Sequence, residues 1–132
     1  MAAAVFDDYG MLQKLNQIIH PAVKEFIIKE IEEEKRRKRV PFVVIEAALL
    51  LEDHYDLICD EIWYVYADEA TRRVRLMKSR GYSDAKVRKI MGNHMKDAGY
   101  RARCKFVIDN SGNIVENTYE QIDKGLIEHE FL

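Results

Sequence analysis

The chain is poor in anything that would staple it, anchor it or break it into pieces. Its two cysteines, Cys59 and Cys104, stand apart, with no CxxC pair and no Cys/His cluster. That usage excludes a disulfide framework and a structural zinc site, and points to a reducing, cytoplasmic compartment. No apolar run approaches the length of a membrane span, and Met1 to Phe6 lacks the basic start and long apolar core of a signal peptide. Internal repeats and low-complexity linkers are absent, so the expectation is a single domain over residues 1–132. The short motifs that announce chemistry are missing too: no GxxxxGK[ST], no GxGxxG, no HExxH and no nucleophile elbow. His20, His54, His94 and His129 have no ligand spacing, so no metal site and no complete catalytic set is expected.

What is present is a sharp asymmetry of charge. Thr71 to Lys105 holds twelve basic residues and two acidic ones, a net of +10, which leaves −12 for the rest of a chain whose total is −2. So one-sided a block calls for a polyanionic partner, either a nucleotide's phosphates or nucleic acid.

The apolar pattern reads as alternating helices and strands. Asp7 or Asp8 can cap a first helix with Met11, Leu12, Leu15, Ile18 and Ile19 on its apolar face. His20-Pro21 punctuates it, and Pro21 opens a second helix with Val23, Phe26, Ile27 and Ile31 inward. Within PFVVIEAALLLED, Pro41 to Asp53, the run Phe42 to Ile45 reads as a strand buried on both faces, and Glu46 to Asp53 as the loop leaving it. A second strand is Glu61 to Tyr66. Asp68 caps a helix ended by Gly81, and Ser83 caps the next, to about Met95, with Val87, Ile90 and Met91 on one face. A short basic segment is interrupted by Gly99. Phe106 to Ile108 is a third strand, followed by a turn at Asp109 to Asn113 and a last helix through Val115, Tyr119, Ile122 and Leu126. Such alternation gives an α/β fold with a parallel sheet.

Five segments then come in a familiar order: HPAVKEFI from His20, VVIEAALLLE from Val43, the Arg-rich helix through Arg75, RGYSDAKVRKIMGNH from Arg80, and FVIDNSG from Phe106. Together they resemble the dephospho-CoA kinase family, from about Val5 to Gln121. The resemblance implies transfer of the γ-phosphate of ATP, with Mg2+, to the ribose 3′-hydroxyl of dephospho-CoA. It also implies an incomplete P-loop-kinase-like sheet of about three strands, with flanking helices. The acceptor-side region would be about 7–39 and the basic helical lid about 68–104. Family members begin with a strand, a phosphate loop and an acidic second strand, and this chain starts after them. The implication is a fragment, a mis-started gene product or a natural remnant, inactive by itself.

Carried over residue by residue, the resemblance implies that His20 and Glu52 lie on the acceptor-substrate side. For His20 the alternative is simply a cap on the helix that Pro21 begins. Ala48 stands where the family's motif has proline, and Leu49, Leu50 and Leu51 are read as core. Arg75 and, less directly, Arg80 resemble the lid arginines that reach ATP phosphates, a task suited to a guanidinium fork; the alternative is a solvated helix face. Asn110 and Gly112 resemble the turn lining the adenine pocket, although their residue types would form a tight turn anyway. His94 and Lys105 depart from the family, standing where glutamine and an acid are common. A sheet without its central strand would expose apolar edges, so sheet rearrangement, self-association or pairing with a partner chain is expected. Three functions compete: the kinase itself, a non-catalytic CoA- or nucleotide-binding or partner-assembling protein, and, last, nucleic-acid binding by the basic block.

Overall fold

In a computed structural model, residues 9–92 and 96–132 are described. The expected caps Asp7 and Asp8, and His94, lie outside these residues. The chain divides into two compact units, Met1–Ile58 and Cys59–Leu132.

The first unit is dominated by one helix, α1, Tyr9–Arg37. Two helices broken at His20-Pro21 were expected; instead Pro21 lies inside a continuous helix. A single proline removes one N–H bond, to the carbonyl of Gln17, and the good helix formers on both sides carry the helix past it. Lys35, Arg36 and Arg37 occupy the last turn, where cations suit the helix dipole. Glu33 and Glu34 pair with Arg36, Arg37 and Arg39 across that end. The apolar stripe is only partly covered: Ile18 is 71% exposed and Phe26 63%.

Beyond α1, the expected strand at 42–45 does not form. Residues 42–47 belong to no strand, and Val43 and Val44 are exposed. A parallel strand exists only as a member of a ladder, and among the described residues this unit contains no other strand to offer an edge. The chain then turns through 48–54 into a short 3-10 helix, Tyr55–Leu57. Backbone bonds from Asp53 to Leu49 and from Tyr55 to Leu50 close the turns. Leu51 and Tyr55 anchor them as buried residues, whereas Leu49 is exposed; of the three leucines only Leu51 is core.

The second unit is an α/β assembly on a two-stranded parallel sheet, β1 (Trp63–Tyr66) beside β2 (Phe106–Asp109). Trp63 pairs with Phe106 and Tyr66 with Asp109. Parallel pairing needs a long crossover. Here it consists of α2 (Glu69–Arg80), α3 (Asp84–Gly92) and α4 (Asp97–Arg103). The sheet has two strands in place of the three expected, because 42–45 does not join it. Asp68 caps α2, accepting from Thr71 N at 2.7 Å, and Gly81 ends it at φ +62°. Ser83 Oγ accepts from Lys86 N at 3.2 Å, as its capping position predicts. Val87 on α3 is fully buried, a side chain whose burial contributes about 1.5 kcal/mol or more. Where an interrupted basic segment was expected, residues 97–103 form α4; Gly99 at its start costs less than it would mid-helix.

α5 (Val115–Glu128) covers one face of the sheet. Its inward face is centred on Gly125, which is buried, while Val115 and Tyr119 are exposed. The expected apolar stripe is therefore rotated toward Ile122, Gly125 and Leu126, because Gly125 is where the helix backbone can meet aromatic rings. Trp63 and Phe106 rings lie 4.8 Å apart, and His129 contacts both edge-on.

Candidate functional site

In the first unit, α1 and the turns after residue 47 enclose an open groove of about 750 Å³. His20 and Glu52 both line it, with Asn16, Lys24, Asp53 and His54. His20 Nδ1 is 3.3 Å from Asp53 Oδ1. Lys24 donates to the Asp53 carbonyl, and its ammonium lies 4.9 Å from the centre of the Tyr55 ring. The cap alternative for His20 falls, since α1 runs through it; its imidazole is turned onto Asp53 instead. His54 adopts a left-handed backbone, φ +60°, at the groove's edge. Such a conformation is uncommon without a glycine and is held here by the bonds that close the turn.

In the second unit, the carboxyl ends of β1 and β2 carry the other cluster, on the sheet edge where ligands gather in open α/β folds. Arg75 on α2 donates through Nη2 to the carbonyl oxygens of Asn110, at 2.8 Å, and Gly112, at 2.7 Å. Three residues singled out in the sequence thus meet. The turn is held from several sides. Asn110 N donates to Tyr66 O at 2.6 Å, and Asp68 N to Ser111 Oγ at 2.9 Å. Thr118 Oγ1 donates to Asn110 Oδ1 at 2.8 Å. Gly112 takes φ +84°, a conformation that favours glycine.

Gln121 was not foreseen. Its carboxamide accepts from Asp109 N at 2.8 Å and donates to Asp109 O at 2.9 Å, satisfying one residue of β2 as a further strand would. A glutamine six residues into a helix carries no sequence signal for this; Thr118 and Ser111 were equally silent.

Bonds from Thr71, with smaller contributions from Ser111 and the Arg75 charge, hold the Asp68 carboxyl below the usual carboxylate range. The cap is therefore ionised at neutral pH. Burial, helped by a hydrogen bond with Asp97, pushes the Tyr64 phenol up to about 12. Tyr64 also stacks on Tyr100 at 4.9 Å, and the Arg101 guanidinium lies over the Tyr66 ring, so α4 is fastened to β1. Burial raises the Cys104 thiol, which keeps it a poor nucleophile.

Arg80 is not brought to the strand ends by any of these contacts. It lies exposed at the last turn of α2, where its hydrogen bond lowers the Tyr82 phenol. Some of the basic block is spent internally: Arg73 and Arg88 both pair with Asp84, and Arg101 with Asp97. The Glu61 carboxyl is lowered mainly by its hydrogen bond from Trp63, then by His129, with the charge of Lys105, the departure from an expected acid, as a smaller contribution. Among the described residues no group of three or more His, Cys, Asp or Glu could hold a metal ion, and no helix is long and apolar enough to cross a membrane.

Comparison with known proteins adds three findings. The sequence profile of the dephospho-CoA kinase family matches residues 1–116. Curated relatives include the dephospho-CoA kinases of Shouchella clausii, 31% identical over 92% of this chain and 61% of the relative, and Bartonella henselae, 35% identical over 92% and 62%. That of Symbiobacterium thermophilum is 33% identical over 90% of this chain and 49% of its own. This chain therefore spans about half to three fifths of the length of these relatives. Among solved structures, TT1252 from Thermus thermophilus superposes with a TM-score of 0.78 at 26% identity, covering 97% of this chain and 64% of that one.

Proposed function

Since the chain belongs to the dephospho-CoA kinase family, we propose that it supplies the acceptor-side, lid and adenine-side portions of an ATP-dependent phosphotransferase. The reaction is phosphorylation of the 3′-hydroxyl of dephospho-CoA, in coenzyme A biosynthesis. The observation that carries this reading is the family match itself, which runs through α1, the groove-lining turns, α2 and the turn after β2. In this reading His20 and Glu52 face dephospho-CoA or CoA in the groove. Asn110 and Gly112 form the adenine side, and the basic block, with the exposed Arg80, neutralises phosphate charge. The residues present suit the adenine side of ATP. Among the described residues no group of three or more His, Cys, Asp or Glu could hold a metal ion, so Mg2+ would enter with the nucleotide's phosphates.

The sequence contains no GxxxxGK[ST]. A phosphoryl transfer that depends on such a loop for positioning and charge neutralisation does not proceed without it, so this chain by itself binds but does not turn over. The test is an assay of ATP-dependent 3′-phosphorylation of dephospho-CoA, paired with calorimetry of dephospho-CoA and ATP binding. Saturable heats without turnover are expected. Turnover by this chain alone would overturn the account of the phosphate loop, and the absence of both would leave the binding reading without support.

A second reading, a partner-assembling protein of the same family, is favoured by one observation. Ile18, Phe26 and Val44 are 71%, 63% and 74% exposed, and the β-branched run at 42–45 belongs to no strand. Apolar surface of this kind recruits a second chain. Self-association is the form we propose, in a cytoplasmic compartment consistent with two cysteines that form no disulfide. Nucleic acid ranks behind both, because the basic block already has a task in the lid.

A further inference from the structure

Resting on the nucleotide reading above, we infer that Arg75 is a positioning residue for the adenine-side turn, holding it by its main-chain carbonyls through Nη2. The geometry is specific. A single nitrogen, Nη2, donates to Asn110 O at 2.8 Å and to Gly112 O at 2.7 Å. An Nη2 group carries two N–H bonds, and both are engaged. These are charge-assisted bonds to neutral carbonyls, stronger than neutral pairs. Nη2 therefore cannot serve a phosphate oxygen while the turn is in this conformation.

What Arg75 holds matters as much as the bonds. Asn110 and Ser111 are already committed elsewhere: Asn110 N to Tyr66 O, Asn110 Oδ1 to Thr118, Ser111 N to Asp109 Oδ1 and Ser111 Oγ to Asp68 N. Gly112 is the residue at φ +84°, the most permissive backbone of the turn, and Arg75 fastens its carbonyl to α2. Removing the guanidinium frees that residue to sample many conformations, and a base that packs against the turn meets the cost of ordering it again. The effect falls on the nucleoside end of a ligand and spares the phosphate end.

The experiment is titration calorimetry of the full chain and of Arg75→Met with two probes, adenosine and inorganic tripolyphosphate. The expected result is adenosine weakened about tenfold, with tripolyphosphate changed by less than about twofold. The reverse pattern, loss of tripolyphosphate with adenosine unchanged, overturns the inference. So does an equal loss of both, which would be a general structural effect, or no change in either. If Arg75→Met does not fold, by its melting curve, Arg75→Lys is judged by the same criterion. It keeps a positive charge for phosphate but replaces the fork with a compact ammonium, so adenosine should still weaken selectively. An unaltered chain that binds neither probe removes the nucleotide reading itself. An unaltered chain that binds adenosine, with variants that bind it equally well, removes only the role assigned to Arg75.

Discussion

Gly125 lies so close to Phe106 that a methyl group added to it would sit 2.7 Å from ring atom Cε1 and 3.0 Å from Cζ, with Trp63 Cη2 also at 3.0 Å. The Phe106 ring cannot swing away cheaply, since Trp63 and His129 pack against it. Gly125→Ala therefore sets two effects against each other. Alanine gains about 1 kcal/mol of helix propensity. Overpacking costs about 1–3 kcal/mol. Steric cost wins, and the variant is expected to be less stable by about 1 kcal/mol, read as an earlier midpoint in urea unfolding. An unchanged or later midpoint would show that the rings can give way.

At the other end of the same aromatic cluster, Glu61 accepts from Trp63 Nε1 at 2.9 Å and meets His129 Nδ1 at 2.7 Å. The indole bond, then His129 and the charge of Lys105, hold its carboxyl below its ordinary value of 4.5. A lowered carboxylate pKa gives a stabilising contribution that is complete above the ordinary value and lost as pH falls through the folded one. Glu61→Gln is expected to melt earlier than the parent at neutral pH, and the gap should close on acidification below about 4.5. Trp63 is the single tryptophan, so its emission follows the change directly. A gap of constant size across that pH range would mean that the carboxylate's charge contributes nothing.

Self-association should be visible as concentration-dependent sedimentation of the purified chain. Ile18→Lys and Phe26→Glu place charge on exposed apolar positions of α1 and are expected to shift the chain toward monomer with little loss of stability, as surface substitutions usually do. A parent chain that sediments as a monomer at every concentration tested would remove the proposal.

The local physics of this chain was legible from its residues. Asp68 and Gly81 bound α2, Ser83 opens α3 and Val87 points into the core, because caps, αL glycines and helical periodicity act over a few residues. Both strands of the sheet and their parallel pairing were legible as apolar runs separated by helical segments. Family membership was legible too, since motif order along a chain needs no coordinates. The rest depended on partners far away in sequence. Phe42 to Ile45 has the residues of a strand, yet strand formation requires a second edge, which no run of residues carries within itself. Pro21 reads as a break, yet the helix on either side outweighs one absent hydrogen bond. Arg75 could be recognised as a functional arginine, but not that it would meet carbonyls 35 and 37 residues further on. Gln121 and Gly125 gave no signal, because one completes the hydrogen bonding of a strand and the other clears space for a ring. Sequence determined most of the segments that coil, extend and turn; the tertiary structure decided the exceptions at Pro21 and 42–45, and which side chains those segments would bring within 3 Å of one another, because those choices rest on non-local packing and hydrogen bonding.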